Sequence, residues 1–138
     1  SNAAKSDRIT LIEKCVTDNP DNHLFYLPRN LNGTASLLQP NFLHDTVQVD
    51  TISMQQFLTN QTIDLLWIDV QGAESQVLNS FGPKLNLVNT IYCEVDVSPS
   101  RYQHSSYEAQ VIKNLPSFSL SSRLLLNPNE AHLILNKK

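Results

Sequence analysis

The sequence predicts an α/β fold with a mostly parallel central sheet that ends in an antiparallel hairpin. Three observations predict it. Apolar, β-branched runs at 46–50, 63–70 and 87–97 alternate with segments of helical spacing at 53–58, 73–81 and 105–115. The run at 63–70 is apolar almost throughout, as in a strand buried on both faces, and such strands belong to parallel sheets. The last two runs, FSLSSRLLL and AHLILN, are separated by NPNE, a turn that joins antiparallel strands.

The elements follow in order. RITLIEKCV, residues 8–16, alternates apolar and polar positions and predicts a first strand. TDNPDN is a dense turn signal, because Asp, Asn and Pro favour non-repetitive backbone. HLFYL is a short apolar run stopped by Pro28, and RNLNGTAS is a loop holding Gly33. TVQVD alternates again as a strand. In TISMQQFLTN, Ser53 is placed to cap a helix with Gln56 three residues on, as in a capping box. Met54, Phe57 and Leu58 then share one face. After the 63–70 strand, AESQVLNSF predicts a helix with Ala73, Val77, Leu78 and Phe81 on one side, ended by Gly82-Pro83. SSYEAQVIKNL has a Ser cap and helical spacing through Tyr107, Val111, Ile112 and Leu115.

Composition narrows the function. The chain has 138 residues, the size of one domain, and can bury a core without disulfides or metal. Its net charge is −3 and its Lys and Arg are scattered, which argues against nucleic acid as a partner. No apolar run reaches the roughly 18 residues of a membrane span, and no signal peptide is visible, so no membrane role and a cytoplasmic location are expected. Cys15 and Cys93 lie in apolar segments without CxxC spacing and read as reduced, buried thiols. Ser1-Asn2-Ala3 reads as the remnant of a cleaved expression tag, leaving 4–138 as a single domain.

The chemistry centres on IDLLWIDVQGAES, residues 63–75. In open parallel sheets ligands bind beyond the carboxyl ends of the strands. Asp69 ends the most apolar strand; Glu94 and Asp96 lie near the end of the next, two apart and so on one face. Gly72 permits a tight turn and close ligand approach, and the first amides of the next helix favour an anionic group. The same residues have a structural reading: Asp69 as a helix cap and Glu74 as an acid at the positive helix end. A metal site of Asp69, Glu94 and Asp96 is conceivable, but no HxH or HxxxH spacing supports it, and no metal is expected. Tyr102, His104 and Tyr107 are either pocket-lining or plain loop residues. There is no GxSxG or Cys-His signature for nucleophilic hydrolysis.

The segment VDTISMQQFLTNQTIDLLWIDVQGAESQVLNSF, followed by IYCEVDVS, resembles the second half of FkbM-family methyltransferases. Asp64, Asp69, Gly72, Ala73, Glu74, Val77, Leu78 and Glu94 match the family pattern, and RITLIEKCVTDNPDNHLFYL and NGTASL resemble its middle strands and loop. Trp67, Gln71 and Ser53 depart from it, standing where the family usually has Lys, Glu and Asp. The resemblance implies a Rossmann-like fold and S-adenosylmethionine as cofactor. It also implies transfer of a methyl group to a hydroxyl of a sugar or related small-molecule acceptor. It implies catalytic roles for Asp69 and Glu94 and cofactor contacts from Asp69, Gln71, Gly72 and Glu74, with Glu74 bracing the joint. Such enzymes grip the cofactor with a glycine-rich turn after the first strand and an acid after the second. This chain has Gly33, Gly72 and Gly82 alone, none in such a turn. It therefore reads as the C-terminal portion of the domain, without the first two strands of a class I methyltransferase. The alternatives are a degenerate, non-catalytic interaction module and a metal-dependent enzyme using the three carboxylates. A homodimer through the uncovered sheet edge is expected.

Overall fold

The computed structural model describes residues 8–19, 23–29, 33–97 and 102–138. Residues 1–3, expected to be a tag remnant, and residues 20–22 and 30–32 of the two expected loops, lie outside the described residues. The fold is mixed α/β. In chain order the elements are β1 (Cys15–Val16), β2 (His23–Pro28), β3 (His44–Val49), β4 (Thr51–Ile52), α1 (Met54–Phe57), β5 (Ile63–Ile68) and α2 (Glu74–Ser80). A 3-10 helix (Gly82–Leu87), β6 (Val88–Asp96), α3 (Glu108–Lys113), β7 (Phe118–Asn127) and β8 (Glu130–Lys137) follow.

The main sheet has four strands in the order β5-β6-β8-β7. β5 and β6 are parallel; β8 is antiparallel to both of its neighbours. Two small ladders complete the pairing, β1 with β4 in parallel and β2 with β3 antiparallel.

One side of this sheet carries the core. Along β6, Ile91, Cys93 and Val95 are buried while Thr90, Tyr92 and Glu94 alternate with them. β8 does the same with Ala131, Leu133 and Leu135. Period-2 alternation sends these residues to one face. There they cluster with Val77, Leu78 and Phe81 from α2 and its C-cap, and with Val111 and Leu115 from α3 and just beyond it.

Several expectations are corrected. The sheet is not mostly parallel: among the described residues the two parallel ladders are outnumbered by three antiparallel ones. β5 is an edge strand rather than an interior one, with Leu65 and Trp67 52% and 65% exposed. An apolar run identifies a strand but carries no information about what lies beside it. The first strand shrinks from 8–16 to Cys15–Val16, because Ile9, Leu11 and Ile12 are exposed and alternation without a neighbour forms no ladder.

The caps also differ. Ser53 occupies the N-cap position of α1, but its hydroxyl donates 3.0 Å to the Ser80 carbonyl instead of capping, which ties α1 to α2. α2 ends as expected: Phe81 is its C-cap and Gly82 follows at φ +50°, the left-handed conformation of a helix end, after which Pro83 enters the first turn of the 3-10 helix, where a missing N–H costs nothing. Tyr107, not a serine, precedes α3. Ser106 serves α2 instead, its Oγ accepting the Ser75 N–H at 3.3 Å. The C-terminal hairpin is as expected, with Pro128 and Asn129 at its tip.

Candidate functional site

The joint after β5 is set by backbone geometry. Gln71 holds φ +53° and Gly72 φ +94°, so the chain reverses within two residues. A β-carbon on Gly72 would lie 3.0 Å from Ser105 Cβ, so packing demands glycine here as well as conformation does. The buried Ser36 hydroxyl donates 2.9 Å to the Gln71 carbonyl, and the Ser106 N–H donates 2.9 Å to the Gly72 carbonyl. The left-handed residues are thereby pinned from both sides.

Asp69 stands exposed at the end of β5. It does not cap α2, whose N-cap is Ala73. One amide nitrogen of Gln71 donates to Asp69 Oδ1 at 2.9 Å and to Glu94 Oε1 at 3.0 Å, bringing the two expected catalytic carboxylates together. Glu94 Oε2 lies 3.0 Å from His132 Nε2, and His132 Nδ1 is hydrogen-bonded to the Tyr92 hydroxyl. His132 and Tyr92 escaped the sequence reading. The alternation of AHLILN sets His132 opposite to Ala131 and Leu133, but nothing local says that β8 pairs beside Glu94.

Asp69 lines a cleft of about 360 Å³, together with Leu66, Trp67, Ile68 and Val70 from β5 and its end, and with Lys14, Cys15 and Val16 from β1 and its approach. The size is that of a small-molecule pocket, for which about 300–1,000 Å³ is usual. Gln71, Gly72 and Glu74 do not line it. Glu74 is buried within the joint, one oxygen accepting the Gly72 N–H at 2.8 Å. Burial pushes its carboxyl up to about 7 against the pull of the Glu74 and Gly72 N–H groups; the charges of Asp96 and Asp69 push the same way as burial.

Asp96 is buried at 4% exposure rather than open beside Glu94. Among the described residues no three His, Cys, Asp or Glu side chains are grouped to hold an ion, so the three-carboxylate arrangement is not realised. Tyr102 is part of the second small core with Leu38 and Ala73, its hydroxyl donating 2.5 Å to the Thr34 carbonyl. His104 is exposed at φ +60°, and Tyr107 is half-buried. Among the described residues no helix is long and apolar enough to cross a membrane.

A parallel strand pair bridged by a helix, with a carboxylate at the strand end over a cleft, defines a mixed α/β domain with a candidate ligand cleft. More particularly, residues 1–121 match the family described as the methyltransferase FkbM domain, and the chain belongs to that family. No curated protein and no solved structure matches it.

Proposed function

We propose that this chain is the C-terminal portion of an S-adenosylmethionine-dependent O-methyltransferase of Rossmann-like architecture, acting on a hydroxyl of a sugar or related metabolite. The observation that carries the reading is Asp69, held by Gln71 at the carboxyl end of a parallel-paired strand and at the wall of an apolar cleft.

The residues present fit one side of the cofactor. Apolar side chains from β5 suit the flat adenine, and Asp69 is a carboxylate that accepts from hydroxyl or ammonium donors. No glycine lines the cleft to let backbone approach the methionine part. The cofactor, when bound, supplies the methyl group; Asp69, braced by the Gln71 amide, would hold it, and Glu94 would stand toward the acceptor. Calorimetry with S-adenosylmethionine tests this. Micromolar binding that is lost in Asp69→Ala is the expected result, and no binding at millimolar concentration would overturn it.

One observation favours a second reading, an interaction module that pairs through its sheet edge. β5 has no partner on its outer side among the described residues, and Leu65 and Trp67 stand exposed on it. Homodimerisation through this edge is expected in sedimentation velocity, with Trp67→Lys returning the chain to monomer. A wild-type chain that stays monomeric across the micromolar range removes this reading.

A further inference from the structure

Two of the residues that line the cleft are charged, Lys14 and Asp69; the others are apolar apart from the thiol of Cys15. The two come from distant parts of the chain. Lys14 immediately precedes β1, and Asp69 immediately follows β5. Each is anchored through its neighbour in a ladder. Cys15 pairs with Thr51, and its N–H donates 2.9 Å to the Asp50 carbonyl, which holds the backbone beside Lys14. Ile68 pairs with Cys93, which holds the backbone beside Asp69.

These opposite charges share one cleft without joining. The ion pairs among the described residues are Arg29–Asp45, Arg123–Glu108 and His132–Glu94. Asp69 accepts from the Gln71 amide at Oδ1, and among the described residues its Oδ2 accepts from no group. The Lys14 ammonium is exposed and has no hydrogen-bond or ion-pair partner among the described residues. The cleft therefore has one donor pole and one acceptor pole in an otherwise apolar lining. An ammonium only donates and an ionised carboxylate only accepts. A ligand satisfies both poles when it carries an anion and separate donors on an apolar body. Asp69 repels a carboxylate and Lys14 repels an ammonium, so each pole rejects what the other takes. The pair thus sets the ligand's orientation as well as its class. The Lys14 stem suits this task, because its methylenes can lie along an apolar wall while the head reaches an anion.

We propose that Lys14 recognises a carboxylate on the ligand of this cleft and so makes the cleft selective for a zwitterion with an apolar body. The proposal rests on the methyltransferase reading above and names a residue for the part of the cofactor that reading left unheld. S-adenosylmethionine carries an adenine, hydroxyl and ammonium donors, and a carboxylate on its methionine part. No glycine lines the cleft to bring backbone amides close to that carboxylate, and Lys14 is the cation in the lining. Asp69 takes the donors and Lys14 takes the anion. Lys14 is a specificity-determining residue, since it is assigned the carboxylate and not the reacting atoms.

Calorimetry with two compounds that differ only in the carboxylate tests this: S-adenosylmethionine and its decarboxylated form. The wild-type chain should bind S-adenosylmethionine about 10- to 100-fold more tightly, the range of a hydrogen bond to a charged group. Added salt should narrow the gap. Lys14→Met keeps the stem and removes the charge. It should bind both compounds with the affinity that the wild type shows for the decarboxylated one. Lys14→Arg should keep the preference. Thermal melts confirm that both variants fold, and a loss confined to the compound with the carboxylate separates recognition from a loosened β1. Equal affinity of the wild type for the two compounds, or a preference that survives Lys14→Met, overturns the assignment of Lys14 and leaves the methyltransferase reading standing. Failure of both compounds to bind the wild type at millimolar concentration overturns that reading, and the assignment with it.

Discussion

The Glu74 carboxyl accepts the Gly72 N–H at 2.8 Å with one oxygen, while its other oxygen is buried without a hydrogen-bond partner among the described residues. A half-satisfied carboxylate at 1% exposure resists ionisation, which is why burial pushes it up to about 7. The unfolded chain releases this proton in the ordinary carboxylate range, so between there and pH 7 the folded form binds the extra proton. Stability from this group is full below the unfolded value and is lost as pH rises through the folded one. The loss should be on the order of 3 kcal/mol between about pH 4 and pH 8. Glu74→Gln should flatten that slope and gain on the wild type at pH 8. Denaturant titrations of both proteins across the range check it; equal slopes would sink the assignment.

Gly72→Ala and Gly33→Ala separate conformation from packing. Both glycines have positive φ, +94° and +77°, but a β-carbon at Gly33 meets nothing within 4 Å, whereas at Gly72 it meets Ser105, Tyr102 and Leu38. Gly33→Ala should cost about 1 kcal/mol, the left-handed penalty alone. Gly72→Ala should cost about 2–4 kcal/mol, with overpacking added. Equal losses in urea denaturation would show that the loop at 102–106 gives way.

Gln71→Glu restores the acid that the family usually carries at this position and should be destabilising here. The amide now donates to both Asp69 and Glu94; a carboxylate has no donor and adds a third negative charge between two. A loss of about 1–3 kcal/mol is expected in low salt at pH 8, shrinking as added salt screens the three charges. A loss that does not depend on salt would mean that the bridge, rather than charge, sets the cost.

What the sequence made legible follows the range of the interactions. The β7–β8 hairpin was readable because its turn and both alternating runs are contiguous, and α2 because Val77, Leu78 and Phe81 repeat at helical spacing. The joint at 69–74 was readable for the same reason. Trp67 was read as buried because an edge strand and an interior strand show the same apolar run; strand order alone separates them. The His132–Glu94 and His132–Tyr92 contacts span 38 and 40 residues and exist because β8 inserts between β6 and β7. No local pattern in AHLILN encodes that insertion. Asp96 was misjudged differently: alternation put it on the Glu94 face, as it is, but its burial comes with its bridge to Tyr107 and its pairing with Glu130 on β8, neither of which is local in sequence.

The two thiols should report the integrity of the core face. Cys93 has no exposed surface and pairs with Leu133 across the β6–β8 ladder. Burial pushes its thiol well above the usual range, and the charges of Glu74, Asp69 and Glu94 add to that. Cys15 is half-buried beside the cleft, raised by burial alone. Since the thiolate is the reacting form, Ellman's reagent at pH 8 should label Cys15 first, slowly for a free thiol, and Cys93 only through unfolding. Sub-denaturing urea should then accelerate the Cys93 phase in step with global stability while leaving the Cys15 phase nearly unchanged. If Cys93 is labelled as fast as Cys15 in native buffer, the β6–β8 ladder opens locally. Tyr92, Glu94 and His132 are carried by those two strands, so their hydrogen-bonded row would open with it.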